Sequence, residues 1–243
     1  MTKIIILAAG KGVRMNSDLP KVLFPINGKA MIEYLIESIF KTKIDICPIV
    51  VVSPDNQSII KESLSNYNLN FVVQEEQLGT GHAVSSAKNL ISKDVKNIIV
   101  LYGDHPFITS DSIEKLLESH KNEVSMMTVK VEDFSDWRKN FYHWGRIVRK
   151  NDKIEKIIEF RDASNEIKEI KEVNPALFCF NSFWLWNNIE KLKSDNNQKE
   201  YYLTDLIKIA FEQNITIDSS LIDAREAIGI NSLEELEIAK SLR

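Results

Sequence analysis

A chain of 243 residues, 44% hydrophobic and 27% charged, carries enough apolar mass for one sizeable α/β domain. Its formal net charge of −4 removes any bulk pull toward nucleic acid. No apolar run reaches the roughly 18–20 residues that cross a bilayer. The two cysteines, Cys47 and Cys179, lie beside apolar residues and read as buried free thiols rather than a disulfide or metal pair. The N-terminus runs directly into a strand, so no signal peptide is expected and the protein is expected to be soluble and cytoplasmic.

Lys3–Leu7 is a continuous apolar run rich in β-branched residues, the pattern of a parallel strand buried on both faces. A long loop follows with Gly10, Gly12, Arg14 and Lys21, and Pro20 and Pro25 prevent an early helix. Glycines let a backbone approach a phosphate, and free N–H groups with cationic side chains complete an anion site. A dinucleotide fingerprint would need its third glycine at Met15, and a Walker A loop would need a closing Gly-Lys-[Ser/Thr]; neither is present. What remains is a loop whose two cations, seven residues apart, suit a triphosphate gripped from two sides. A tight βα connection is the structural alternative.

Residues 31, 32, 35, 36 and 39 then form one apolar helical face within Met31–Phe40. Cys47–Val52 reads as a second strand, followed by a helix from Asn56 to Tyr67. Asn70–Val73 is a third strand running into Gln74–Ala83, and Asn97–Leu101 a fourth, ending in Tyr102-Gly103-Asp104-His105-Pro106. Thr109 or Ser110 caps a helix reaching His120. This alternation predicts an α/β class, a Rossmann-like, mostly parallel sheet with helices on both faces and ligands at the carboxyl ends of its strands.

The second half changes character. Val124–Val131 is a strand, and a polar, aromatic segment, 132–144, follows it. Gly145–Arg149 and Ile154–Phe160 flank Lys150-Asn151-Asp152-Lys153 as an antiparallel hairpin, the core of a small antiparallel β lobe. Glu172–Phe180 reads as a strand, with helices at 183–192 and 201–213 and a final helix marked by Leu233, Leu236, Ala239 and Leu242. No repeat or linker interrupts the chain, so one domain over 1–243 is expected, its nucleotide part ending near 131.

The stretch Leu7-Ala8-Ala9-Gly10-Lys11-Gly12-Val13-Arg14 through Pro20-Lys21 resembles the signature of the sugar-1-phosphate nucleotidyltransferases. It is most similar to the uridylyltransferase half of N-acetylglucosamine-1-phosphate uridylyltransferase, and the likeness runs along essentially the whole chain. The resemblance implies the nucleotide-diphospho-sugar transferase fold. It also implies transfer of a nucleoside monophosphate from UTP to a sugar 1-phosphate with release of pyrophosphate. By that resemblance Lys21 contacts the phosphates, Arg14 lies at the leaving pyrophosphate, and Leu7, Ala8, Ala9 and Gly10 hold the nucleotide through their backbone. Gln74, Gly79 and Thr80, in Gln74-x-x-Gln77-Leu78-Gly79-Thr80-Gly81-His82-Ala83, resemble the uracil-reading group, with Tyr102 and Gly103 also on the nucleotide.

Asp104 serves either as a turn residue or as a hard oxygen ligand for Mg²⁺, which takes one or two protein ligands and completes its shell with water and phosphate. The family's second ligand falls on Asn231, which could alternatively cap the last helix, as could Ser232. Gly145, Glu159 and Asn174 correspond to groups that hydrogen-bond the sugar, and Glu200–Asp205 to a wall of its pocket. His82 is expected to pack or to start a helix rather than to act as an acid or base.

Several positions depart from the family. Val13 replaces Thr, His105-Pro106-Phe107 replaces Val-Pro-Leu, and Asn174-Pro175-Ala176-Leu177 replaces Asn-Thr-Gly-Ile. Ala176 is expected to stay out of backbone conformations open to glycine. The longer aromatic segment 133–144 is expected either to narrow the acceptor pocket or to form a lid. These changes leave room for CTP, or for another phosphorylated, even non-sugar, acceptor. A glycosyltransferase would want an Asp-x-Asp motif, which Asp104-His105-Pro106 lacks. No hexapeptide repeats are present, so acetyl transfer is not expected.

Overall fold

In the computed structural model, residues 1–243 are described apart from Lys11, Val13, Arg14, Asn16, Asp18 and Arg243. The elements in chain order begin with β1 (Thr2–Leu7), a short hairpin β2 (Pro25–Ile26) and β3 (Lys29–Ala30), and α1 (Met31–Thr42). β4 (Ile49–Val52), α2 (Gln57–Ser63), β5 (Asn70–Val73), α3 (Thr80–Ser86), β6 (Asn97–Tyr102) and α4 (Ser110–Ser119) follow. The second half contains β7 (Val124–Lys130), β8 (Arg146–Lys150), β9 (Lys153–Ile158), α5 (Asn165–Lys168), β10 (Glu172–Val173) and β11 (Phe178–Asn181). It closes with α6 (Ser182–Asn188), α7 (Asp205–Glu212), β12 (Ile217–Ile222) and α8 (Leu233–Ser241).

Among the described residues ten strands make one sheet, in the order β5-β4-β1-β6-β11-β7-β10-β8-β9, with β12 beside β7. β5, β4, β1 and β6 run parallel, as their unbroken apolar sequences predict. β11 enters antiparallel between β6 and β7, and β10, β8 and β9 extend the same sheet antiparallel beyond β7. Alternate residues of β1 feed two cores: Ile4 and Ile6 join the cluster beneath α1, whereas Ile5 and Leu7 join the cluster beneath α3 and α6. Each such fully buried side chain stabilises the fold by roughly 1.5–3 kcal/mol of apolar transfer.

Local signals explain most boundaries. The expected face of α1 (Met31, Ile32, Leu35, Ile36 and Ile39) is buried, and Glu33 accepts the Ala30 N–H at its N-terminus at 2.9 Å. Thr109, not Ser110, caps α4, its hydroxyl accepting from Ser112 N. Asn151 and Asp152 turn the β8–β9 hairpin with φ of 50° and 62°, the left-handed pair that a two-residue turn requires.

Three expectations need correction, and one strand was unforeseen. The strand predicted over Glu172–Phe180 breaks into β10 and β11, because Pro175 lacks an N–H and Ala176 turns to φ 61°. Helix α7 starts at Asp205 rather than at residue 201, because Tyr201 pairs by its backbone with Leu78 and Gly81. β12, hidden by Asp218-Ser219-Ser220, runs parallel to β7. Cys179 is buried as expected but Cys47 is only half-buried; both are free. Among the described residues no helix is long and apolar enough to cross a membrane.

Candidate active site

β1, β4, β5 and β6 end at one edge, and the loop after β1 is stitched to its neighbours there. Leu7 O accepts from Gly103 N at 2.9 Å, Ala8 O from Asn56 Nδ2 at 2.9 Å and Ala9 O from Gln77 Nε2 at 2.7 Å. Those three carbonyls are therefore engaged within the protein. The N–H groups of Ala9 and Gly10 have no acceptor among the described residues, which leaves donors, the polarity a phosphate needs. Arg14 and Val13 lie outside the described residues.

Lys21 opens a short 3-10 turn, and Gly12, at φ 59°, lets the loop lie against it: a Cβ there would fall 2.9 Å from Lys21 Cβ. The Lys21 ammonium donates to Asp104 Oδ2 at 2.5 Å and to Asn231 Oδ1 at 2.8 Å. Asp104 reaches it because the turn at Gly103 packs closely on Val22 and Ile32, where a Cβ would come within 3.0 and 3.2 Å. Asn231 reaches it because Ile230 N donates to Asp104 O at 3.0 Å. Its own N–H goes to Glu235 Oε2 at 2.6 Å. Ser232, not Asn231, caps α8, so the Asn231 side chain is free for the site.

Burial by itself would raise the Asp104 carboxyl. The Lys21 ammonium and the hydrogen bond from His105 outweigh that and hold it well below the usual carboxylate range. Burial, reinforced by the Asp104 charge, pushes the Tyr102 phenol well above its ordinary value, so it stays neutral. Among the described residues no cluster of three or more His, Cys, Asp or Glu side chains could hold a metal. Asp104 Oδ2 and Asn231 Oδ1 already converge on one cation, the ammonium, and this pair of hard oxygens fits Mg²⁺ completed by phosphates and water.

Just past the end of β5, Gln74 is 3% exposed. Its Nε2 donates to Gly79 O at 3.0 Å and lies 3.1 Å from His82 Nδ1. His82 thus orients the Gln74 amide, a task beyond the packing or helix-start role expected of it. Gly79 has φ 104° and lies so close to residue 201 that a Cβ would meet Tyr201 O at 2.7 Å and N at 2.8 Å. Tyr201 N donates to Leu78 O at 2.7 Å, Gly81 N to Tyr201 O at 2.8 Å, and Leu203 N to Thr80 Oγ1 at 2.9 Å. The Glu200–Asp205 segment is therefore a clasp on the Leu78–Gly81 loop, besides the wall role expected of it.

A cavity of about 1180 Å³ opens from Asp104 and Asn231 toward β8 and β9. Gly145, Glu159 and Asn174 all line it. A Cβ on Gly145 would fall 3.2 Å from Glu159 Oε1, so this glycine gives the carboxylate its place. Burial, with the Asp162 and Asp205 charges, raises the Glu159 carboxyl. Asn174 Oδ1 accepts from Ala176 N at 2.8 Å, leaving its amide donor for the cavity. Contrary to expectation, Ala176 occupies the left-handed region normally left to glycine, and Asn174 holds it there. Residues 136–143 form a 3-10 helix, and Trp137, Phe141 and Trp144 make one cavity wall. Asn140 Nδ2 donates to Glu235 Oε1 at 2.8 Å, and Lys139 pairs with Glu234, so this wall is docked on α8.

Residues 4–202 match the MobA-like NTP transferase domain. The chain belongs to that family. The bifunctional protein GlmU of Clostridium perfringens strain SM101 is 36% identical over 241 residues, 98% of this chain and 51% of that protein. GlmU of Caldicellulosiruptor saccharolyticus is 41% identical over 238 residues, 97% of this chain and 50% of that protein. The chain spans about half the length of these curated relatives. An inositol-1-phosphate CTP transferase from T. maritima shares the fold at a TM-score of 0.72 and 16% identity, covering 99% of this chain and 96% of that one. The architecture is that of the nucleotide-diphospho-sugar transferases.

Within this MobA-like domain, Lys21, Asp104 and Asn231 meet at one point, Gln74, Gly79 and Thr80 at a second, and Gly145, Glu159 and Asn174 at a third. Three contributors escape sequence reasoning: His105 on Asp104, Glu235 behind Asn231, and Asn56 on the Ala8 carbonyl. The His-for-Val departure at 105 was the one available signal among them.

Proposed function

We propose that this domain is a Mg²⁺-dependent uridylyltransferase that joins UMP from UTP to a sugar 1-phosphate, N-acetylglucosamine 1-phosphate being the preferred acceptor. The observation that carries this reading is the Lys21–Asp104–Asn231 convergence at the mouth of the acceptor cavity, on the carboxyl edge of the parallel strands. An oxygen of the acceptor phosphate attacks the α-phosphorus of UTP, the bond to the β-phosphate oxygen breaks, and its electron pair departs with pyrophosphate. No proton need move, because the acceptor phosphate is ionised near neutral pH.

The protein's task is therefore placement and charge compensation. Lys21 supplies positive charge at the phosphates, and the family resemblance assigns Arg14 to the departing pyrophosphate. Asp104 and Asn231 would hold the Mg²⁺ ion, which when bound neutralises phosphate charge. Gln74 supports UTP over CTP. With both Nε2 hydrogens directed at Gly79 O and His82, its remaining function is the Oε1 acceptor, which suits the N3–H of uracil and not the bare N3 of cytosine. Glu159 and the Asn174 amide support an acceptor with hydroxyl and N-acetyl groups.

Pyrophosphate release across a panel of nucleotides and phosphorylated acceptors tests the reading. UTP with N-acetylglucosamine 1-phosphate should give the highest kcat/KM. Negligible turnover of that pair beside brisk turnover with CTP or a non-sugar phosphate would overturn it.

A further inference from the structure

His105 has no task in the transfer just described, yet it is bound to the residue at its centre. The ring is 8% exposed, lies 5.8 Å from the Tyr102 ring, and packs on Gly229, where a Cβ would fall 3.0 Å from Cε1. Nδ1 lies 2.9 Å from Asp104 Oδ1, whereas Nε2 is buried with no hydrogen-bond partner among the described residues. An ionised carboxylate has no proton to give, so the shared proton belongs to Nδ1 and His105 is the donor. The two oxygens of Asp104 are thereby divided: Oδ1 is held by His105, and Oδ2 faces the Lys21 ammonium together with Asn231 Oδ1.

We propose that His105 is a positioning residue for the cation site, fixing the Asp104 carboxylate so that a divalent ion is met by Oδ2 alone. The inference rests on the Mg²⁺ reading above and adds to it. A carboxylate held at one oxygen cannot rotate into a bidentate grip, and the single presented oxygen matches the strict octahedral demand of Mg²⁺. Gly229 is part of the device. Its missing side chain leaves room for the ring, and its neighbour Ile230 is bonded to Asp104 O at 3.0 Å. One three-residue segment, Gly229–Asn231, therefore seats the histidine, braces the aspartate and delivers the second oxygen.

Binding of Mn²⁺ alone to the full chain, followed by loss of the free-ion EPR signal, tests this. His105→Val removes the donor and should weaken Mn²⁺ binding about 10-fold or more, the usual range for loss of an outer-shell partner. His105→Asn places an amide N–H near the former Nδ1 and should recover affinity to within a few-fold of wild type, a rescue that a merely space-filling role would not give. Gly229→Ala should displace the ring and weaken binding, with no further loss when combined with His105→Val. Wild-type Mn²⁺ affinity in His105→Val, or no rescue by asparagine, would overturn the assignment. Asp104→Asn separates the two readings. Undiminished Mn²⁺ binding there, or none by the wild-type protein, would overturn the cation site itself.

Discussion

Replacing Lys21 by methionine keeps the bulk of the stem and deletes the charge, and it should move two quantities in opposite directions. At 2.5 Å, the ammonium and the Asp104 carboxylate attract by about 7 kcal/mol at an effective dielectric near 20. Desolvation cancels much of that, because the two side chains are only 15% and 12% exposed. Breaking such a pair from one side costs about 3–5 kcal/mol. In metal-free buffer, Lys21→Met should therefore lose stability of that order. The sign with pH follows from Asp104, whose carboxyl is held below its unfolded value. The stability it contributes is present above the ordinary carboxylate pKa and is lost on acidification, so the gap between wild type and variant should narrow as the pH falls below about 4.

Cation binding should change the other way. A divalent ion approaching Asp104 Oδ2 and Asn231 Oδ1 must expel the ammonium from both. A charge-assisted hydrogen bond has a net worth of about 1.5–3 kcal/mol, so its removal should tighten Mn²⁺ binding by about 10- to 100-fold in nucleotide-free protein. Turnover should nevertheless fall with every nucleotide, since the phosphates lose Lys21. Calorimetry with Mn²⁺ and steady-state pyrophosphate release measure the two effects. A Lys21→Met protein that binds Mn²⁺ no more tightly than wild type would refute the view that the lysine holds the cation's place.

Three further outcomes are expected. Ala176→Gly relieves a left-handed alanine at φ 61° and should raise stability by about 0.5–1 kcal/mol in urea unfolding, whereas an unchanged midpoint would mean no strain is held there. Gly79→Ala puts a Cβ against backbone atoms of Tyr201 that no rotamer change can clear; a loss of about 2–5 kcal/mol and a raised nucleotide KM should follow, and a neutral result would disprove the clasp. Arg146 is fully buried and donates to Lys168 O at 3.2 Å, Tyr142 O at 2.9 Å and Trp144 O at 2.5 Å. Arg146→Met should cost at least about 3 kcal/mol by thermal denaturation and raise the acceptor KM as the aromatic wall loosens, and an unaffected acceptor KM would separate that wall from the pocket.

The strands of the nucleotide half could be read directly, because a parallel strand buried on both faces must be apolar throughout and Ile4–Leu7, Ile49–Val52 and Ile98–Leu101 are. The helical face of α1, the start of α4 at Thr109 or Ser110 and the Asn151-Asp152 turn were equally readable, each being set by contacts within a few residues. β12 was not. Two of its three central polar residues are held by distant groups, Asp218 by Lys121 and Asn122 and Ser219 by Arg149, so its apolar signal is diluted. The break between β10 and β11 depended on whether Ala176 would accept a left-handed backbone, which Asn174 decided. Motif resemblance named Lys21, Asp104 and Asn231 as site residues. Their meeting at one cation position, across 83 and 210 positions of sequence, is the work of the sheet order. Local sequence records propensity and burial, whereas the aim of one side chain at another far along the chain is set by which strands lie side by side. His105, a plain substitution in the sequence, donates to Asp104, its immediate neighbour in the chain; what the tertiary structure decided is the seat of its ring on Gly229, far along the chain.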